Sequence, residues 1–245
     1  MISIILAAGS GTRMRPLSYY IPKILLPVKG RPVLNYVLDN LGNLRVDAHY
    51  IVVSDHFDTV ERYLKSTGMD NVKVVRGLGW ETGGDLSIAL EQINVTDDTA
   101  VMNGDIITDV EMSELYNHHK KSGKLASIAV FSLNDPLEAK RFGRIELSEN
   151  STITKFEEKS QDIDRIPALV NTGFYIFDRR LIEQRGKYLV PRKFKLENEL
   201  FPRLAKEGQL SGYAMNIGYW WDVGTIDSYL RAENYMINNK GVVPP

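Results

Sequence analysis

Four places in the sequence set glycine or polar residues directly after short apolar runs: Gly9 to Arg13, Glu81 to Gly84, Asn103 to Asp105, and Asp222. In an open parallel sheet, ligands sit beyond the carboxyl ends of the strands, so chemistry is expected at these four places. The first lies in LAAGSGTRMRP (residues 6–16) and follows Ile2-Ser3-Ile4-Ile5. A strand feeding a glycine turn suits an anion, because glycine lets backbone amides approach a phosphate closely. The dinucleotide fingerprint G-x-G-x-x-G does not fit: its third glycine position holds Met14, and Pro16 and Pro22 disfavour the helix it must open. The triphosphate loop G-x-x-x-x-G-K-[ST] is absent. What remains is an extended loop with two fixed cations, Arg13 and Arg15, followed by Lys23.

Asp105 ends a buried-looking strand in the turn Asn103-Gly104-Asp105, with no obvious cation beside it in sequence. Alone, it reads equally as a turn residue. Asp222 lies in the aromatic run GYWWDVGT (residues 218–225), where a carboxylate is costly to bury without a partner. Helix capping is a poor account of it, since Thr225 or Asp227 already serves as a cap. If Asp105 and Asp222 converge, they form a two-carboxylate magnesium site, because Mg²⁺ takes one or two carboxylates plus waters and substrate phosphates. Glu158-Lys159, followed by Asn171-Thr172-Gly173, is either a solvated strand end or a sugar-phosphate clamp, with Lys159 on the phosphate and Glu158 and Asn171 on hydroxyls. Lys155 and Glu157 read as the solvent face of the same strand.

The elements that must position these residues alternate along the chain. Val33, Leu34, Val37, Leu38 and Leu41 recur at helical spacing after Pro32 and stop at Gly42. Residues 50–53, 72–75 and 100–102 read as strands, and a helix is expected near 59–65. This half looks parallel and Rossmann-like. After residue 125 the strands 125–131, 144–147, 152–156 and 170–177 are joined by short polar turns and predict antiparallel ribbons, with helices near 197–206 and 225–238. The fold class is α/β: a Rossmann-like three-layer α/β/α arrangement on a mixed, mainly parallel sheet with an antiparallel subregion, in a single domain over 1–245.

The chain has 245 residues and a net charge of −1, which gives no electrostatic reason to expect a nucleic-acid or membrane partner. Cysteine is absent, which removes disulfides and thiolate chemistry. The four histidines show no ligand spacing, and the adjacent pair His118-His119 reads as a solvated helix end before Lys120-Lys121. With no membrane-length apolar run and no leader, a soluble, cytoplasmic protein is expected. Oligomeric state is open, and Tyr19-Tyr20-Ile21 reads as a contact patch or a lid.

Taken together, LAAGSGTRMRP, PKILLPVKGRPVL, ETGG, NGD, FGRI, FEEKS, VNTGFYIF and GYWWDVGT resemble, in order and over nearly the whole chain, the sugar-1-phosphate nucleotidyltransferases, or nucleotide-sugar pyrophosphorylases. The resemblance implies that Leu6, Ala7, Ala8, Gly9, Ser10, Gly11, Thr12 and Arg13 wrap a nucleoside triphosphate. It places Arg13 on the departing pyrophosphate and Lys23 on the α-phosphate. Glu81, Thr82 and Gly83 would run beneath base and ribose, with Asn103 and Gly104 completing that side. Gly143, Glu158, Lys159, Asn171, Gly173 and Trp220 match the side that holds the sugar phosphate, and Asp105 and Asp222 match the two Mg²⁺ aspartates. The catalytic set is Arg13, Lys23 and Lys159.

The implied chemistry needs no general base. A phosphate monoester has its second pKa near 6, so the sugar-1-phosphate nucleophile is already ionised when it attacks the α-phosphorus. The difficulty is bringing two polyanions together, which cations and positioning address. Three departures stand out. Phe142 precedes Gly143 where relatives often have tyrosine. Arg76 stands near a base-reading position, where it either donates to base carbonyls or points to solvent. The chain ends 20 residues after Thr225, which fits a short form without a β-helix. Guanine and uracil are expected ahead of thymine and cytosine. A cytidylyltransferase acting on an alcohol phosphate and a catalytically silent nucleotide-sugar sensor are the alternatives.

Overall fold

Ile2 to Leu6 alternates between two hydrophobic environments, with Ile4 and Leu6 on one face and Ile5 on the other, so this strand has to lie in the middle of a covered sheet. The computed structural model describes residues 1–135, 139, 142, 144–158 and 167–238. Its strands, in chain order, are β1 (Ile2–Leu6), β2 (Pro27–Val28), β3 (Arg31–Pro32), β4 (Ala48–Val53), β5 (Val72–Arg76), β6 (Thr99–Asn103), β7 (Ile106–Thr108), β8 (Ala126–Leu133), β9 (Arg144–Leu147), β10 (Ile153–Glu157), β11 (Ala168–Phe177), β12 (Leu210–Ala214) and β13 (Trp220–Asp222). Nine of them form one sheet, in the order β10-β9-β11-β6-β1-β4-β5, with β8 on the other edge of β11 and β12 beside β8.

The expected division holds. Strands β6, β1, β4 and β5 run parallel. From β11 onward the pairing with β6, β8 and β9 is antiparallel, although β12 joins β8 in parallel. One face is covered by helix Glu81–Gln92 and the segments through Leu181 to Ala205, the other by helices Val33–Asp39, Phe57–Thr67, Met112–Ser122 and Ile226–Asn238. That is the three-layer arrangement expected from the alternation of strands and amphipathic stretches.

Local chemistry accounts for the element ends. Helix Phe57–Thr67 buries Val60 and Leu64 at i, i+4 and stops at Gly68, whose φ of 70° terminates it in the left-handed region. The helix expected at 225–238 begins at Ile226, with the Thr225 hydroxyl accepting the Ser228 N–H as its cap. The stretch expected as a helix at 197–206 is a π-helical turn over Leu196–Leu200 that continues as α-helix Phe201–Lys206. Helix Glu81–Gln92 was not expected. Its first turn holds two glycines, and both Gly83 and Gly84 donate their N–H groups to the Phe194 carbonyl, so a crossing chain segment caps it.

His119 corrects the sequence reading. It is 1% exposed and lies on the inner stripe of helix Met112–Ser122 with Met112 and Leu115, at i, i+3 and i+7. Its Nδ1 meets the Ser127 hydroxyl at 2.8 Å, and its Nε2 lies 3.7 Å from Asp178. His118 stacks on Tyr213. Among the described residues, no helix is long and apolar enough to cross a membrane.

Two outcomes follow from these contacts. A Cβ on Gly84 would lie 2.4 Å from the Arg192 carbonyl oxygen and 2.6 Å from Trp80 Cβ, so the usual gain of glycine to alanine in a helix reverses sign. Gly84→Ala is expected to lower unfolding stability by about 1–3 kcal/mol in a urea titration. Burial lowers the His119 pKa to about 4, below its unfolded value, so the unfolded chain takes up this proton first. The stability due to the neutral ring is complete above about pH 6.5 and falls away toward pH 4, by up to about 3 kcal/mol. Urea midpoints measured across that window are expected to flatten in His119→Asn.

Candidate active site

Strands β1 and β6 lie side by side in parallel register, Leu6 opposite Asn103, so the chain leaves the sheet at adjacent points and at the same end. Gly104 fits this crossing closely. Its N–H donates to the Leu6 carbonyl at 2.9 Å, and a Cβ there would meet the same oxygen at 3.0 Å and Ala7 Cβ at 3.1 Å. Asp105 is thereby placed over the open end of the cleft.

The second aspartate arrives through β13, which pairs antiparallel with β7 and sets Asp222 opposite Ile106. The Val223 N–H donates to the Asp105 carbonyl, which ties the two carboxylate-bearing residues together. Asp222 Oδ1 accepts the Gly224 N–H at 2.7 Å. Gly224 is required at this point, because a Cβ there would lie 2.6 Å from Asp222 Oδ1 and 3.1 Å from Arg13 Nη2. Arg13 therefore stands beside Asp222. Lys23 supplies the cation that the sequence around Asp105 lacked, with its ammonium 2.5 Å from Asp105 Oδ2.

The two carboxylates titrate in opposite directions. Desolvation opposes ionisation of Asp105, but the charge and hydrogen bond of Lys23, helped by Arg13, hold its carboxyl below the usual range. Asp222 is pushed up, first by desolvation and then by the Asp105 carboxylate, with Lys23 and Arg13 only partly offsetting this. Two facing carboxylates with incomplete cation cover are a donor set that suits Mg²⁺, a hard cation that takes oxygen ligands. Asp105 and Asp222 are the residues that would hold it.

A cleft of about 260 Å³ opens in front of Asp105. Of the residues expected to bind nucleotide, Leu6, Ala7, Ala8, Gly9, Arg13, Glu81, Thr82, Asn103 and Gly104 line it, together with Lys23, Asp105 and Glu158. Four further lining residues were missed: Ile24, Asp85, Lys195 and Glu197. The loop that bears Arg13 is pinned from behind. Ser18 donates to the Gly11 carbonyl, Ser54 donates to the Ala8 carbonyl, and His56 Nε2 meets the Ser18 carbonyl at 2.9 Å. Gly11, at φ 60°, is the left-handed residue that lets the loop turn.

Other expected residues are placed elsewhere. Ser10, Gly11 and Thr12 are not among the residues that line the cleft. Gly83 is packed under the Phe194 ring, whose nearest carbon would be 2.3 Å from an added Cβ, so this glycine serves chain crossing. Arg76 is exposed and its guanidinium stacks on Phe57 at 4.3 Å, which matches the solvent-facing alternative. Asp85, by contrast, is buried and accepts the Leu78 N–H at 2.7 Å, tying down the loop before helix Glu81–Gln92. Asn171 accepts the Gly173 N–H, and Gly173, at φ 88°, admits the Asn103 side chain within 2.9 Å of where a Cβ would stand. Trp220 donates to the Thr172 carbonyl and meets the edge of Phe142. With Asp222 it lines a second cavity of about 410 Å³. Lys155 and Glu157 pair on the surface, as expected. Gly143 and Lys159 lie outside the described residues.

A family model described as nucleotidyl transferase matches residues 2–239. The chain belongs to that family. It is 28% identical to a Synechocystis UTP–glucose-1-phosphate uridylyltransferase, over 95% of this chain and 62% of that protein. It is 30% identical to the catalytic subunit beta of a Xenopus tropicalis mannose-1-phosphate guanylyltransferase, over 94% of this chain and 63% of the relative. The chain thus spans less than two thirds of the curated relatives it matches. A crystal structure from Bacillus anthracis, provisionally assigned as a glucose-1-phosphate thymidylyltransferase and holding a sucrose, superposes with a TM-score of 0.79 at 22% identity, covering 96% of this chain and 94% of the other. That likeness speaks for the shared α/β fold.

A second acidic group, Asp98, His119 and Asp178, lies elsewhere in the nucleotidyl transferase fold. Asp98 precedes β6 whereas Asp105 follows it, and five strand residues separate the two ends by roughly 17 Å. Its carboxylates are already engaged, Asp98 by Lys120 and the Arg179 N–H, Asp178 by Arg180. The cleft opens at the other end of β6, the one that bears Asp105.

Opposite stability effects are expected from the two aspartates in chelator-containing buffer at neutral pH. Asp105→Asn weakens the Lys23 pair and lowers the melting temperature. Asp222→Asn keeps an acceptor for the Gly224 N–H, removes the repulsion and raises the melting temperature. Thermal scans of both variants beside the wild type check this, and shifts of the same sign contradict it.

Proposed function

We propose that the chain transfers a nucleotidyl group from a nucleoside triphosphate, GTP or UTP, to a sugar 1-phosphate, releasing pyrophosphate and forming a nucleoside diphosphate sugar. The observation that carries this reading is the meeting of Asp105, Asp222, Lys23 and Arg13 at one end of β1 and β6, over a cleft walled by the loop from Leu6 to Arg13. Family membership and the names of the relatives support it.

In this reading the loop amides around Ala8 and Gly9 and the Arg13 guanidinium take the β- and γ-phosphates, and Arg13 accompanies pyrophosphate as it leaves. Lys23 sits between Asp105 and the α-phosphate and offsets charge that builds on the phosphoryl oxygens. Mg²⁺ held by Asp105 and Asp222, when bound, supplies further counter-charge for the triphosphate. Glu81 and Thr82 lie under the base and ribose. Glu158, Asn171 and Lys159 orient the sugar phosphate so that an oxygen already ionised attacks the α-phosphorus in line. No residue is asked to remove a proton. Catalysis is charge neutralisation and alignment, and the protein works in the cytoplasm.

The charged set argues against a silent, nucleotide-sensing member. Such a protein has no use for Lys23 beside two carboxylates, one of which is costly to keep ionised.

A panel of nucleoside triphosphates crossed with hexose, heptose and N-acetylhexosamine 1-phosphates, read as pyrophosphate release with and without Mg²⁺, tests the proposal. Turnover is expected with GTP or UTP and only with the metal; no release with any pair sinks the reading. In the same assay Lys23→Ala, Asp105→Asn and Asp222→Asn are each expected to lose about 10²-fold or more in kcat. Near-normal turnover by either aspartate variant means that the metal site is misplaced.

A further inference from the structure

The hydrogen bonds around Asp98, His119 and Asp178 account for two of these side chains and leave the third short of a partner. The antiparallel pairing of Phe177 with Thr99 sets the residue after β11 beside the residue before β6, so Asp178 and Asp98 meet at one end of the sheet. Helix Met112–Ser122 brings His119 against them. All three are buried, at 2%, 1% and 9% exposed in chain order. Their ligand atoms lie within 4.8 Å of one another.

Among the described residues, Asp98 accepts hydrogen bonds from the Lys120 ammonium, the Tyr116 hydroxyl and the Arg179 N–H, and Asp178 accepts three from Arg180. His119 Nδ1 meets Ser127, whose hydroxyl is bonded in turn to Ser211. His119 Nε2 has no hydrogen-bond partner among the described residues, and Asp178 Oδ2 at 3.7 Å is too far to serve as one. Neither tautomer removes this difficulty. With the proton on Nε2, a buried donor goes unpaired; with the proton on Nδ1, held by Ser127, a lone pair faces two carboxylates. The second arrangement is the one in which imidazoles ligate metals, the other ring nitrogen donating to a neighbouring oxygen that fixes the ring. Burial also keeps the ring neutral near pH 7, as a ligand must be.

We propose that Asp98, His119 and Asp178 bind a divalent transition metal of the zinc type, which fastens β6, β11 and helix Met112–Ser122 together at the end of the sheet away from the cleft. An imidazole with two carboxylates suits zinc, whereas Mg²⁺ takes oxygen ligands and keeps several waters. Metal–ligand bonds of about 2.0–2.2 Å hold ligand atoms roughly 3–4 Å apart, and the 3.7 Å between Nε2 and Asp178 Oδ2 falls in that range. Each carboxylate offers about four acceptor positions, so three hydrogen bonds leave one open on each. The charges of Lys120 and Arg180 oppose a metal, but these side chains are already 54% and 46% exposed and can withdraw into water. The site stands apart from the proposed nucleotidyl transfer, at the opposite end of β6 from Asp105.

The test titrates the chelator-treated full chain with ZnCl₂ against a chromophoric chelator, for wild type, Asp178→Asn, His119→Gln and Asp222→Asn. The wild type is expected to bind Zn²⁺ with a Kd of about 1 μM, weaker than a dedicated four-ligand site because Lys120 and Arg180 must withdraw. At about a hundredfold excess over Kd the melting temperature is expected to rise by about 5–10 °C. Asp178→Asn and His119→Gln are each expected to weaken binding about 10²-fold or more, while Asp222→Asn, which breaks up the other carboxylate pair, retains it. A wild-type crystal soaked in ZnCl₂ locates the ion: the anomalous difference map at the zinc edge is expected to peak about 2.0–2.2 Å from His119 Nε2. A peak beside Asp105 and Asp222 alone overturns the assignment, as does affinity that falls in Asp222→Asn but not in the two cluster variants. Wild-type binding weaker than about 1 mM overturns it too. Should His119→Gln fail to fold, Asp178→Asn and the wild-type map still decide the matter.

Discussion

Like charges do not gather without a reason, and the arrangement of Asp105 and Asp222 is the constraint to which the rest of this structure answers. The β13–β7 pairing and the Val223 N–H on the Asp105 carbonyl force the two side chains together, and Lys23, Arg13 and the Gly224 N–H stand against their repulsion. The compensation is unequal. Lys23 secures Asp105, whereas Asp222 remains difficult to ionise. A fold selected for stability alone would replace one carboxylate with an amide. Retaining both keeps a standing demand for positive charge at one end of the sheet, which a Mg²⁺ ion would meet in the proposed reaction. The strain and the chemistry are one feature seen from two sides.

Meeting that demand requires backbones to come closer than ordinary side chains allow, and glycine does this at each crossing. Gly104 lets β6 pass Leu6 and Ala7, Gly173 makes room for Asn103, and Gly224 leaves space for both Asp222 and Arg13. Gly83 and Gly84 do the same for the segment through Phe194. The last pair shows that a glycine-rich motif near a cleft need not line it. Here it lets a distant segment dock, and that segment carries Lys195 and Glu197 into the cleft wall.

The sequence disclosed what is local and periodic. The parallel half, the antiparallel half and the positions of Asp105 and Asp222 at strand ends were all legible, because alternation of apolar runs and turn residues is written over neighbouring positions. Contacts made between distant segments were not. Lys23 and Asp105 are 82 residues apart, so no local pattern could supply the missing cation. His119 was misread because a polar pair before two lysines suggests solvent. The stripe Met112, Leu115, His119 would have shown its inward face had the helix been laid out. Arg76 was undecided for a related reason: its partner Phe57 starts a different element. Glu197 looked like an ordinary helical glutamate, and only the docking of Leu196 on Thr82 turns it inward.

This division has a consequence for how one frame can serve different substrates. In the proposed reaction the aspartates that would hold Mg²⁺ are fixed by the sheet itself, through β6, β7 and β13, so a change there disturbs the fold as well as the reaction. The remaining polar residues around the cleft hang on elements added to it: Glu81 and Thr82 on one helix, Lys195 and Glu197 on a crossing segment, with Asn171 on the irregular stretch of β11 where its register with β8 shifts. Substitution at those positions alters hydrogen-bonding partners without moving the aspartates. On the proposed reading selectivity can therefore drift while the pair of aspartates stays fixed, because the two tasks rest on different parts of the chain.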